Sequence, residues 1–150
     1  MERLAKLSKL KFTLIMENKI TVDIYYSGRN FSAFVPLLPG CVATGATPKE
    51  VNQHIKEAVE LHVKGSLEDG DEIPQIFHQD YELDYHFDTE GLLNYYNGIF
   101  TKTALHRLTG INSKQLHHYA SGTKKPRRAQ IEKLETAFHE LGRELIEVKL

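Results

Sequence analysis

Cysteine is scarce in this chain and long hydrophobic runs are missing, and both facts limit the classes of protein it can belong to. The single Cys41 cannot form an internal disulfide, and it leaves no cysteine-based zinc site. A reducing cytoplasm is therefore the expected location. No apolar run approaches the roughly 20 residues that span a bilayer, so we expect no membrane association. The basic, amphipathic start MERLAKLSKLKF lacks the continuous apolar core of a secretory signal.

Acidic residues are absent from one long stretch, residues 101–128. That stretch holds seven Lys and Arg residues and no Asp or Glu, a local balance of +7 in a chain whose formal net charge is −1. Residues 1–88 hold 9 basic and 14 acidic residues, a balance of −5, whereas residues 89–150 hold 10 and 6, a balance of +4. This asymmetry predicts two modules that meet near Asp88, the second of them binding nucleic acid.

The basic stretch has the pattern of two short helices joined by a tight turn. Thr101 is a predicted N-cap, Gly110 a left-handed helix end, and Asn112 with Gln115 a predicted capping box for the second helix. Such a pair, with a polar outer face on its second helix, is typical of a helix-turn-helix that reads double-stranded DNA. We expect base contacts from the second helix and phosphate contacts from the cations around it. The predicted DNA-binding residues are Lys102, Ser113, Lys114, Gln115, His117, His118, Lys124, Lys125, Arg127 and Arg128.

The first module combines period-two and period-3.6 patterns. A helix is predicted to begin with Thr47 as N-cap and Pro48 at its first position, with Glu50 completing a capping box, and to end near Gly65. Pro39 to Cys41 and Gly45 are predicted turns. Alternating apolar residues predict four strands. These strands are Leu10–Glu17, Ile20–Tyr26, Phe31–Val35 and Tyr81–Phe87.

The second module is predicted to begin with a helix capped by Asp88 and to finish with a long helix after Pro126. Apolar residues recur in that long helix at steps of three and four, which fits either the core of the module or a dimer seam. The tail Leu145–Leu150 also alternates, so helix and strand both remain open for it. The apolar stripe consists of Ile131, Leu134, Phe138, Leu141 and Leu145.

Residues 31–59 resemble the HicB antitoxin family. The family pattern contains an aromatic residue, an alanine, a Pro-x-x-Pro-Gly-Cys turn, a Gly-x-Thr helix entry and a helix ending in Glu-Ala. The matching residues are Phe31, Ala33, Pro36, Pro39, Gly40, Cys41, Gly45, Thr47, Glu50, Glu57 and Ala58. Leu37 departs from the acidic residue of many relatives. The resemblance implies that residues 1–88 form a partly complete ribonuclease-H-like β-β-β-α-β module, which binds and blocks HicA, a small toxin that cleaves messenger RNA.

Residues 89–150 resemble the Cro/repressor type of helix-turn-helix. His106 stands where a small residue is usual, and Lys102 replaces a glutamine that contacts phosphate. The matching residues are Leu105, Gly110, Ile111, Leu116, Tyr119, Gly122 and Pro126. The two resemblances together imply an α+β protein that also represses its own operon, as a dimer or tetramer.

A nuclease is one alternative class of protein for this chain. A nuclease would need clustered carboxylates to hold Mg²⁺, but Asp23, Glu82 and Asp84 fall opposite the apolar side of their strands and are expected to be solvated. We therefore predict no catalytic residue, no metal site and no cofactor. The alternative function is a stand-alone transcriptional regulator whose first module senses a ligand or a protein.

Overall fold

The computed structural model of the chain describes residues 1–7 and 18–150. They form two compact units, Met1–Phe87 and Asp88–Leu150. The predicted strand Leu10–Glu17 lies outside the described residues.

The first unit is a four-stranded sheet with one long helix. Its strands stand in the order β3-β2-β1-β4, with β1 antiparallel to β2, β2 antiparallel to β3, and β1 parallel to β4. A 3-10 turn, Gln75–His78, precedes the last strand. The elements are α1 (residues 2–7), β1 (Lys19–Tyr26), β2 (Phe31–Phe34), β3 (Val42–Gly45), α2 (Pro48–Asp69) and β4 (Glu82–Phe87).

Alternation along β1 decides which face of the sheet becomes the core. Ile20, Val22 and Ile24 point to one side and are almost completely buried. Val51 and Ile55 of α2 recur at helical spacing and are equally buried. The helix therefore covers one face of the sheet only, in agreement with the predicted pattern.

Strand β3 was not predicted, because Gly45 had been interpreted as a turn. Val42–Gly45 instead pairs with β2 over four residues, from Phe34↔Val42 to Phe31↔Gly45. The β-β-β-α-β order is present, with β3 as its third strand. Gly45 has a packing role in that strand, since a Cβ there would stand 2.8 Å from Val51 Cα and collide with Val51 N.

The start of α2 differs from the predicted capping box in one bond. Thr47 Oγ1 accepts the Glu50 N–H at 3.1 Å, as expected, but the Glu50 carboxylate accepts the N–H of Ala46 at 2.9 Å, not that of Thr47. The helix also passes the predicted end near Gly65 and continues to Asp69. It stops where Gly70 takes the left-handed conformation, with φ of 74°.

The second unit is entirely helical. Its long last helix runs through Glu147, which decides the open question of the tail: helix continues through the first part of Leu145–Leu150, and residues 148–150 follow it without regular structure. The four helices are α3 (Thr89–Tyr95), α4 (Lys102–Thr109), α5 (Ser113–Ala120) and α6 (Arg128–Glu147). With the mixed sheet before it, this unit confirms the predicted α+β class.

The close approach of β3 to α2 predicts opposite effects for two Gly→Ala substitutions. Gly45→Ala forces the backbone at Glu50 and Val51 to move and should lower the free energy of unfolding of the first unit by about 1–3 kcal/mol. Gly65→Ala, in α2 with open space around it, should raise it by about 1 kcal/mol because glycine weakens a helix interior. Amide hydrogen exchange of β1 and β2 in the full chain measures both changes, and equal protection in the two variants would contradict the packing role of Gly45.

Candidate functional site

The turn between α4 and α5 is fixed by backbone and side-chain hydrogen bonds. Gly110, with φ of 71°, donates its N–H to His106 O at 2.8 Å and ends α4 as predicted. The His106 ring bonds Ile111 O through Nδ1 at 2.8 Å, and because a carbonyl oxygen can only accept, Nδ1 must donate. Thr109 Oγ1 accepts the Ile111 N–H at 3.1 Å. His106 stands where a small residue is usual, and its bond to Ile111 O stabilises the turn between α4 and α5.

A buried cluster sets the positions of α4 and α5. Ile111, the residue between the two helices, is 2% exposed, and Leu105 and Leu116 are completely buried beside it. Burial of three large aliphatic side chains contributes about 1.5–3 kcal/mol each. The cluster also contains Leu93, Tyr119 and Leu134. The side of α5 that carries Leu116 and Tyr119 is therefore buried in this cluster.

The N-cap of α5 is Asn112, although the predicted capping box with Gln115 does not form. Asn112 Oδ1 accepts the N–H of Lys114 at 2.8 Å, and the side chain of Gln115 is exposed. An asparagine with a bond to the second helical amide is a sufficient cap on its own. The Gln115 amide is therefore not occupied by the cap.

The side of α5 opposite Leu116 and Tyr119 carries the predicted base-reading residues. At 100° per residue, Lys114 falls opposite the buried pair, His117 and His118 lie on either side of Lys114, and Ser113 and Gln115 lie at the margins. The side chains of Lys114, Gln115 and His117 are exposed, whereas Ser113 and His118 are half-buried. All five thus lie on the exposed arc of one two-turn helix.

The basic loop after α5 folds back onto the end of that helix. The Lys124 N–H donates to His118 O at 3.2 Å, and the Ser121 and Thr123 hydroxyls bond each other at 2.8 Å. Lys124, Lys125 and Arg127 are exposed. The loop therefore holds three cations close to the exposed face of α5.

Two side chains of α3 support this region, and sequence reasoning missed both. Asn94 Nδ2 donates to Ala120 O at 2.9 Å, which satisfies a carbonyl at the end of α5. The Glu90 carboxylate lies against Gly122, where an added Cβ would stand 2.7 Å from its oxygen. No local pattern could reveal either contact, because the partners are 26 and 32 positions apart along the chain.

The last two predicted phosphate ligands already have partners within the chain. Lys102 Nζ donates to Asn97 Oδ1 at 3.1 Å, and Arg128 Nε lies 2.9 Å from Glu132 Oε1, one helical turn later. Exposed pairs of this kind contribute about 0–1 kcal/mol. Both cations can thus exchange their partner for a phosphate at small cost.

The three strand carboxylates of the first unit lie on the face of the sheet opposite α2. Asp23 and Asp84 are half-buried and Glu82 is exposed. The His86 ring donates through Nε2 to Asp84 Oδ2 at 2.9 Å. Within residues 1–7 and 18–150, no group of three or more His, Cys, Asp or Glu side chains is arranged to hold a metal ion.

A half-open cavity of about 440 Å³ lies between α2 and β4 of the first unit. Burial and then the nearby Glu60 carboxylate raise the pKa of Tyr85, and the same two effects raise the pKa of Tyr81.

Burial also raises the pKa of the Cys41 thiol, which disfavours the thiolate, so this cysteine is a weak nucleophile.

The sequence of β1 through the start of α3 matches a known family. Residues 19–93, half of the chain, match the model of the HicB-like antitoxin of bacterial toxin–antitoxin systems. The chain belongs to the HicB-like antitoxin family. This family is not enzymatic, which agrees with the prediction that the chain is no enzyme.

One curated relative adds a short match. A 14.9 kDa protein from the rep-hol intergenic region of Haemophilus phage HP1 (strain HP1c1) is 44% identical over 41 residues. The match takes in 27% of this chain and 31% of that protein, so the chain spans about a third of its relative. No solved structure matches the chain. Every helix in the described ranges is too short or too polar to cross a bilayer.

The Asn112 cap predicts a local effect on α5 in this HicB-like protein. Asn112→Ala removes the acceptor of the Lys114 N–H and should destabilise the first turn by about 1 kcal/mol. Hydrogen exchange at Lys114 and Gln115 should then accelerate by about fivefold. Asn112→Ser keeps an acceptor at the same place and is the matched control. Identical exchange in the alanine and serine variants would show that the cap does not hold the helix.

Proposed function

We propose that this HicB-like protein neutralises a HicA-type toxin that cleaves messenger RNA, and represses its own operon through a helix-turn-helix formed by α4 and α5. The observation that carries the DNA-binding half is the exposed face of α5, which is polar, next to a cationic loop and free of carboxylates. The toxin-binding half is supported by membership of the antitoxin family. Residues 1–88 bind toxin in this assignment, and residues 89–150 bind DNA and dimerise.

The proposed DNA interface divides into base-reading and phosphate-binding residues. In the major groove, Lys114 donates to guanine and Gln115 bonds adenine, while His117, His118 and Ser113 contact neighbouring base edges. Phosphate contacts fix the position of the helix and carry no sequence information directly. The proposed phosphate ligands are Lys102, Lys124, Lys125, Arg127 and Arg128.

The exposed apolar end of α6 supports the proposed dimerisation. Leu145 is 60% and Ile146 85% exposed, while Leu134, earlier in the same stripe, is buried in the unit's own core. The stripe thus contributes to the core at one end and remains uncovered at the other. A second copy that covers the uncovered end gives a dimer or tetramer in the cytoplasm, with two α5 helices for two operator half-sites.

The first test separates sequence reading from general attraction to DNA. Lys114→Ala with His117→Ala should weaken binding to the promoter of the protein's own operon by about 1–3 kcal/mol for each lost base contact. Binding to unrelated DNA should change little, because most phosphate contacts remain. Fluorescence anisotropy with both DNAs, over a range of salt concentrations, measures the two affinities.

Two further variants serve as controls for this test. Lys124→Ala with Lys125→Ala should weaken binding to the promoter and to unrelated DNA by the same factor. It should also reduce the slope of log K against log salt by roughly 0.9 for each lost phosphate contact. Lys133→Ala removes an exposed cation of α6 outside residues 101–128 and should change neither affinity. Promoter binding that survives the Lys114 and His117 changes, or that ignores salt, would refute the proposed interface.

The second test concerns the toxin. The chain should co-purify with a toxin encoded beside it and restore growth to cells that express that toxin. The Lys114→Ala and His117→Ala variant should protect cells equally well, because its changes lie outside residues 1–88. If no toxin binds while promoter binding persists, the protein is instead a stand-alone regulator, and its 440 Å³ cavity becomes the candidate sensing site.

A further inference from the structure

The face of the sheet that α2 does not cover carries an unusual row of apolar side chains. The register places Val42, Phe34 and Asp23 directly opposite one another on three neighbouring strands, so all three point to that face. Tyr25 points the same way two residues after Asp23. Val42 is 65%, Tyr25 51% and Phe34 37% exposed.

These side chains are neighbours on the sheet and form one patch. The rings of Tyr25 and Phe34 stack with centroids 5.9 Å apart and an interplanar angle of 2°, and Val42 is the cross-strand partner of Phe34. Single exposed apolar residues are ordinary on protein surfaces, but contiguous ones mark interaction sites. We name Tyr25, Phe34 and Val42 the outer sheet patch.

Carboxylates border the outer sheet patch on the side of β4. Asp23 is the cross-strand neighbour of Phe34 on one side and of His86 on the other. The register places Asp84 and Glu82 on the same face, opposite Thr21 and Lys19, and the His86 ring is bonded to Asp84 at 2.9 Å. The one ammonium group among the outward residues of β1 and β4 is that of Lys19, opposite Glu82 at the start of the strands. Three carboxylates against one ammonium leave this border negative.

An aromatic centre with a charged border has the composition of a protein–protein interface. Tyrosine and phenylalanine are enriched in the desolvated centres of such interfaces, and charges gather at their rims. A negative rim favours a partner with a positive surface and speeds their encounter. The partner that this face fits is therefore a basic protein with an apolar spot at the centre of its contact surface.

We propose that the outer sheet patch, with Asp23 and Asp84 at its border, is the surface on which the toxin docks. The inference rests on the proposed function, since an enzyme that cleaves messenger RNA needs cationic side chains to hold phosphates. Carboxylates of the antitoxin engage those cations in place of RNA, while Tyr25 and Phe34 bury the apolar centre of the contact. Neutralisation then follows from direct occupation of the RNA-binding surface.

The test uses full-length variants and the purified toxin encoded beside this chain. Tyr25→Ala with Phe34→Ala should weaken toxin binding by about thirtyfold or more, the loss of roughly 2 kcal/mol that marks a hot spot. Asp23→Asn with Asp84→Asn should mainly slow association and reduce its dependence on salt. Leu61→Ala, which truncates a 74% exposed side chain of α2, is the matched control and should leave affinity unchanged.

Three results would overturn the proposal. The first is a Tyr25 and Phe34 variant that binds toxin as tightly as the Leu61 variant. The second is loss of self-association in that variant with toxin affinity intact, which would assign the patch to a second copy of this chain. The third is an unaltered chain that fails to bind the toxin at all, which refutes the proposed function as well. Promoter binding should be the same in every variant, and the charge variants keep the test decisive if the aromatic double variant does not fold.

Discussion

Everything proposed for the first unit depends on one helix covering one face of a sheet. Ile20, Val22 and Ile24 alternate along β1, and α2 places Val51 and Ile55 over them, so the apolar side chains of both elements are buried together. The opposite face of the four-stranded sheet is not covered by α2. Side chains on that face are then available to a partner. The same alternation turns Asp23 and Tyr25 to that face, where Tyr25 stacks on Phe34 and Asp23 lies opposite Phe34.

In the second unit, helical spacing separates the buried side chains from the exposed ones, as alternation does in the strands of the first unit. Packing of Leu105, Ile111 and Leu116 fixes α4 against α5 and turns the remaining arc of α5 outward. That arc holds Lys114 and His117 and no carboxylate. The packing that stabilises the unit therefore also determines which side chains of α5 are exposed for the proposed contact with DNA. Packing and the proposed DNA recognition thus use opposite sides of the same two-turn helix.

The parts of the fold that could be predicted from sequence are those that short-range rules determine. The caps at Thr47 and Asn112, the left-handed Gly110 and the alternation of β1 each depend on neighbours within a few positions. Strand β3 was missed because four residues ending in Gly45 carry little pattern, and their pairing with β2 is decided by tertiary contacts. The support of α5 by Asn94 was beyond reach for the same reason. The resemblance to HicB, by contrast, came from residues 31–59 alone, and the family match over 19–93 confirms it.

The separation of charge along the chain bears on how the two proposed activities are coupled. The cations proposed for DNA lie within residues 101–128, and the carboxylates proposed for the toxin lie on β1 and β4. The two proposed ligands therefore use different side chains of the chain. A change in oligomeric state would couple the two proposed activities, because two linked α5 helices gain effective concentration that a single one lacks. A toxin that alters the assembly of this chain would thereby alter repression without touching α5.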